Sequence, residues 1–233
     1  MTIGIVIPVL NNFEQAQNLV NSLDNRGYKI YIQHQYKSQV SLAAAWNNGI
    51  SQAITDKCDY IAILNDDILL APNCLERMAF MFSELEPNVI LVSANNIFSN
   101  FENPKDILQY SEPENDITNA TDHPNYACFM VKRDFFDKHG KFDENFWPAW
   151  WEDNDSHYRI HLLGLRAICT TYASCIHYGG QTIKNDPGRA ISGISEQYFE
   201  DKWGSKNRDM KEKFITPYND PKLTPRDWHP NMI

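Results

Sequence analysis

Ile3-Gly4-Ile5-Val6-Ile7-Pro8-Val9, followed by Leu10-Asn11-Asn12, decides the fold. Seven apolar residues rich in β-branched types have no polar alternation, so both faces are expected to be buried, as in a parallel sheet. Pro8 and the Asn11-Asn12 pair then stop the strand. Downstream, Ala16, Leu19, Val20 and Leu23 fall on one helical stripe closed near Gly27. Residues 29–33 read as a second strand and 42–54 as a helix capped by Ser41. Residues 59–64 read as a third strand, ending at Asn65-Asp66-Asp67. Pro72 suits a first helical turn, Leu75, Met78, Ala79 and Phe82 follow at helical spacing, and 89–94 read as a fourth strand.

Strand and helix therefore alternate through the first hundred residues, which predicts an α/β fold with helices on both faces of a mostly parallel sheet. Ligands in such sheets bind beyond the carboxyl ends of the strands. Pro8 to Asn12, Gln33 to Lys37 and Asn65 to Asp67 all fall on that rim. Residues 98–125 are polar and rich in Pro and Asn, an irregular excursion. Strands are then expected at 127–131, 166–170 and 173–177, with helices at 153–163 and 194–203. The expected organisation is one domain over 1–183, in two halves (1–97 and 98–183). Residues 184–233 would form a C-terminal loop and helix extension.

The net charge is −9 over 233 residues, which opposes a nucleic-acid groove. It allows a phosphate-bearing small molecule, because a divalent cation can supply the positive charge. Five cysteines without a C-x-x-C pair fit reduced thiols in a cytoplasmic protein. No run is apolar enough to span a membrane, and the start does not resemble a secretion signal.

Three constellations carry chemistry. Asn65-Asp66-Asp67 on the rim is either a polar turn or a site for a hard cation that keeps positions open for phosphate oxygens. Phe142-Asp143-Glu144-Asn145-Phe146 leads to Trp150-Trp151-Glu152-Asp153-Asn154-Asp155 and Arg159. Aromatic residues there can desolvate a carboxylate and tune it as a base. Glu152 and Asp153 read as the chemical members, Asp155 and Arg159 as an ion pair one helical turn apart. Trp147, Trp150 and Trp151 offer faces for a sugar ring, or simple packing. His177, before Gly179-Gly180, is either incidental or a metal ligand at a strand end.

In order, these segments resemble the inverting GT-A glycosyltransferases of the family 2 type. Val6-Ile7-Pro8-Val9-x-Asn11 resembles the family's first strand. Leu42 to Ile50 resembles its G-x-x-x-A-R-N-x-G-I helix, with Leu42-Ala43 at the start. Asn65-Asp66-Asp67 is similar to the D-x-D motif, with Asn65 in place of the first Asp. The FDE…WED-x-D…R…G and H-x-G-G elements match Phe142 through Gly164 and His177-Tyr178-Gly179-Gly180. The resemblance implies a nucleotide-sugar donor, UDP-linked by preference, a carbohydrate or other hydroxyl-bearing acceptor, and Mn²⁺ or Mg²⁺. It implies Asp67 and His177 as metal ligands, Asp153 as base with Glu152 beside it, and Pro8, Val9, Asn11, Gln33, Asn47, Asn65 and Asp66 on the donor. Ile32 to Tyr36 stands where the family holds the nucleobase, and Gln33, His34 or Tyr36 would take that part. Gly179 to Gly193, with Lys184 and Arg189, would close over the donor. The rivals are a metal-dependent phosphoesterase and a non-catalytic nucleotide-sugar binding module.

Overall fold

The structure is a computed structural model that describes residues 1–23, 26–35, 40–97, 120–179 and 192–203. Its first strand, β1 (Ile3–Val9), is buried at all seven positions. It is flanked in parallel by β2 (Lys29–His34) and β3 (Tyr60–Leu64). Two helices separate these strands in sequence, α1 (Phe13–Ser22) and α2 (Leu42–Thr55). Ser41 caps α2 by accepting from the Ala44 N–H, as its hydroxyl and extended backbone predict.

Gly49 lets α2 lie close on β1, because a Cβ there would collide with the side chain of Val6. The two faces of the sheet build separate cores. Ile3, Ile5, Ile7 and Val9 pack toward α1 and toward α3 (Cys74–Glu84), while Val6 packs with Trp46, Ile50 and Ala53 of α2.

The remaining strands are β4 (Ile68–Leu70), β5 (Val89–Asn96), β6 (Ala120–Thr121), β7 (Cys128–Lys132) and β8 (Arg166–His177). Their order is β2-β1-β3-β7-β5-β8-β4, with β6 on β8. The long strands β1, β2, β3, β5 and β8 share one direction. β7 runs against β3 and β5, and β4 and β6 run against β8. The fold is the mixed, mostly parallel α/β sheet expected from the alternation.

Four details differ from the sequence reading. The strands expected at 166–170 and 173–177 are one strand, with a register shift where Ala94 faces Thr170 but Asn95 faces Ser174. The short β4 follows directly on Asp67 and is too brief for a periodicity to show. α4 (Arg133–His139) follows β7 without a break. Pro72 lies in the turn before α3, whose cap is Asn73 in the left-handed region.

The last two helices are α5 (Glu152–Leu162) and α6 (Ser192–Trp203). Phe199 and Trp203 of α6 pack against Phe146 and against Tyr158 of α5 as a separate small core. α5 lies over β8 and sets its N-terminus at the rim where β1, β3 and β8 end.

Candidate active site

A cleft of about 330 Å³ opens at that rim. Its floor and walls come from the ends of β1 and β3, the residues leading into β7, the end of β8 and the start of α5. Antiparallel insertion of β7 between β3 and β5 brings the start of β7 to the rim where the parallel strands finish. Asn125, Tyr126 and Ala127 thereby line the cleft.

One side is built by the Asn65-Asp66-Asp67 turn. The Asn65 N–H donates to the Ala127 carbonyl, which ties the turn to β7. β4 then pairs with β8 so that Ile68 faces His177. The Tyr178 N–H donates to the Asp67 carbonyl, and the His177 N–H donates to Asn96 Oδ1. These bonds leave His177 Nε2 3.1 Å from Asp67 Oδ1 and 3.4 Å from Asn65 Nδ2. Burial, with the Asp67 charge next in importance, pushes the Asp66 carboxyl up to about 7.

Asp67 and His177 are the pair that could hold a divalent cation. The carboxylate oxygen suits Mn²⁺ or Mg²⁺, the imidazole nitrogen favours the transition metal of the two, and their 3.1 Å separation fits two ligands on one ion. Among the described residues no group of three or more His, Cys, Asp or Glu side chains forms a metal site.

The first turn of α5 lines the same cleft. Trp150 and Trp151 both adopt the left-handed region, with φ of 77° and 72°, and so turn the chain abruptly into the helix. Glu152 is buried, and its Oε2 has no hydrogen-bond partner among the described residues. Burial, followed by the charges of Asp153 and Asp155, holds its pKa well above the usual carboxylate range. Asp153 is raised by burial as well, with partial relief from the N–H groups of Asn154 and of Asp153 itself. Both carboxyls are therefore held above the usual carboxylate range, chiefly by burial. Asp155 and Arg159 form the expected pair, 3.1 Å apart and almost fully buried. Two further donors, Trp203 Nε1 and Lys202 Nζ, also meet Asp155.

Of the residues expected on the site, Pro8, Asn65, Asp66, Asp67, Glu152, Asp153 and His177 line this one cleft. Val9 instead faces the core with Ile5 and Ile7. Asn11 and Gln33 lie outside the cleft lining, and Gln35 occupies the wall near β2. Asn47 is spent elsewhere: its amide donates to the Phe142 carbonyl and to Glu144, and its carbonyl accepts from the Phe142 N–H. It clamps the segment before α5. Trp150 lines the cleft, while Trp151 packs on Phe199. Tyr36, Gly180, Lys184 and Arg189 lie outside the described residues.

Leu10, Trp46 and Tyr126 also line the cleft, although the sequence reading singled out none of them as site residues. Trp46 could have been found, since it follows Leu42 by one helical turn and both face the same opening. Tyr126 could not, because its place depends on the antiparallel insertion of β7.

Residues 14–140, more than half of the chain, match the family model of Glycosyl transferase family 2. The chain belongs to that family. The match includes Asn65-Asp66-Asp67 and ends before Glu152, Asp153 and His177, which are brought to the same cleft by the fold. Among solved structures, a mutant of Drosophila beta-1,4-galactosyltransferase 7 in complex with manganese, UDP-Gal and xylobiose is similar at 15% identity. The alignment covers 95% of this chain and 82% of that one, with a TM-score of 0.52. The catalytic domain of the same Drosophila enzyme with xylobiose aligns at 17% identity and a TM-score of 0.49. There the alignment takes in 72% of this chain, which spans 63% of that domain. No match is found among curated protein sequences. By family and fold this protein is a glycosyltransferase with the GT-A architecture.

Proposed function

We propose that this glycosyltransferase moves a sugar from a nucleotide-diphosphate donor to an acceptor hydroxyl with inversion, using a divalent cation and Asp153 as base. The observation that carries the reading is the arrangement of two carboxylate groups of opposite task in one cleft. Asp67 with His177 can grip a cation, and Glu152 with Asp153 lines the same cleft. Mn²⁺ or Mg²⁺, when bound, would offset the charge that grows on the departing diphosphate.

The chain's own residues account for the rest. Asp67 and His177 would hold the cation, and Asp66 would face the donor's ribose or sugar. Asp153 would take the proton of the acceptor hydroxyl at an oxygen of its side chain as that hydroxyl attacks the anomeric carbon. Glu152, whose buried Oε2 has no partner among the described residues, would orient a hydroxyl of donor or acceptor. Trp150 presents an exposed ring to the acceptor side.

The structural relative with manganese, UDP-Gal and xylobiose supports a metal, a UDP-sugar and a carbohydrate acceptor as the first set to try. UDP is also favoured by size, since little chain lies between β2 and α2 to enclose a purine. Five unpaired cysteines suit a reducing compartment and support the cytoplasm as the place of action. No described helix is long and apolar enough to cross a membrane.

The test is release of UDP from UDP-sugars in Mn²⁺, with and without a panel of saccharide acceptors. Release only when an acceptor is present supports transfer. Release at the same rate without any acceptor is the behaviour of a hydrolase, and tight binding without release that of a binding module.

A further inference from the structure

Residues 143–155 carry Trp150, Glu152 and Asp153, and α6 fastens this segment at its beginning, middle and end. At the beginning, Asp143 accepts from Tyr198 Oη at 2.9 Å and from Lys202 Nζ at 2.6 Å. At the end, Asp155 forms an ion pair with Lys202 Nζ at 2.8 Å and accepts from Trp203 Nε1 at 2.9 Å. In the middle, Ser195 Oγ lies 3.0 Å from both the Trp147 and the Ala149 carbonyl oxygens, one proton shared between them. Ser195, Tyr198, Lys202 and Trp203 lie three, four and one residue apart, so a single face of α6 makes every one of these contacts.

We propose that Ser195 is a positioning residue for the acceptor side of the cleft, holding the turn that aims Trp150 and starts α5 at Glu152. The inference rests on the transferase reading above and deepens it. A serine inside a helix ordinarily bonds back to its own helix or faces water. Ser195 is completely buried and bonds across to a segment 46 and 48 residues earlier in the chain.

The turn it holds needs holding. Trp150 and Trp151 are consecutive large residues in the left-handed region, which side chains of that size rarely adopt. Three successive carbonyls precede them, and all three are occupied. Trp147 and Ala149 meet Ser195, and Pro148 accepts from the Leu42 N–H at the start of α2. Trp151 is anchored by packing on Phe199. Trp150 is 44% exposed, so its direction follows from the backbone beneath it. Both hydrogen bonds of the Ser195 hydroxyl go to the acceptor side, away from the nucleotide side built by Asp67, His177 and the end of β1.

The experiment labels the protein with 5-fluorotryptophan and assigns the Trp150 ¹⁹F resonance by its loss in Trp150→Phe. In Ser195→Ala that resonance should shift or broaden, while UDP affinity in Mn²⁺ stays within about twofold. With a donor and acceptor that the wild type uses, kcat/KM for the acceptor should fall about tenfold or more. Ser195→Thr, which keeps the hydroxyl, should restore both. If Ser195→Ala does not fold, Ser195→Cys fills the same space with a much weaker donor and takes its place. An unchanged Trp150 resonance in the folded alanine or cysteine variant overturns the proposal, and so does an unchanged acceptor kcat/KM. A wild type that transfers nothing would overturn the transferase reading alone, since the resonance still decides what Ser195 holds.

Discussion

His177 Nε2 stands 3.1 Å from Asp67 Oδ1, across the antiparallel pairing of β4 with β8. The two residues are 110 positions apart in sequence, and the three-residue β4 is what makes them neighbours. If this pair grips a cation that in turn grips the diphosphate, nucleotide affinity must depend on metal. UDP should bind in Mn²⁺ and lose affinity in EDTA, and Asp67→Asn and His177→Ala should each reproduce that loss. One charge-assisted contact is worth about 1.5–3 kcal/mol, so the expected change is about ten- to a hundredfold in Kd. Calorimetric titration checks it, and equal affinity with and without metal would remove the assignment.

Glu152 and Asp153 are adjacent, and burial raises both carboxyls. If Glu152 only orients a hydroxyl and does not take the proton, Glu152→Gln should keep most of the transfer rate. Asp153→Asn removes the base and should lower kcat by about 10²–10⁴ with UDP affinity little changed. The active form of Asp153 is the ionised one, and its pKa lies above the ordinary 3.8. The acid limb of the kcat–pH profile should accordingly fall above pH 4, not below it. An Asp153→Asn variant with wild-type turnover would leave Asp153 as only a helix-start carboxylate.

His157, one helical turn beyond Asp153, makes acid stability a measurable property of the same helix. Burial, followed by the charges of His161 and His123, lowers its pKa from 6.5 to about 4, with Asp122 opposing. The folded protein therefore keeps His157 neutral at pH values where the unfolded chain protonates it. Stability is full above about pH 6.5, is lost as pH falls toward 4, and levels off below that. The loss from this group is on the order of 3 kcal/mol. Thermal unfolding at pH 7.5 and pH 5 should show a drop in Tm for the wild type and a clearly smaller one for His157→Gln. Equal drops would mean that His157 is not the group responsible.

Much of this was legible in the sequence, for identifiable reasons. β1 announces itself because both faces are buried and all seven residues are apolar. Asp67, Asp153 and His177 were legible because a strand end or helix start places a polar residue on the rim. Long-range pairing was not. β4 is three residues long, β7 is inserted against the direction of its neighbours, and Tyr126 inherits its place from that insertion. The ladder between β5 and β8 slips at Ala94 while the strand continues, so an irregular ladder reads as two strands.

Asn47, expected on the donor, bonds instead to the segment before α5. The Asn of the A-R-N-x-G-I pattern is expected on the donor, yet its amide makes two bonds to the Phe142 backbone and one to Glu144. Asn47→Ala would strand the buried Phe142 N–H and carbonyl, each at a cost of about 1–3 kcal/mol. It would also loosen the segment that leads to Trp150 and Glu152. The expected result is a destabilisation of about 3 kcal/mol, seen as a lower midpoint in urea. UDP affinity in Mn²⁺ should stay within about twofold under conditions where the variant is folded, because the Asn47 amide bonds lie behind the cleft. A donor-binding role predicts the reverse pattern, with weaker UDP binding and an unchanged midpoint. The two measurements on one variant separate a clamp from a ligand contact.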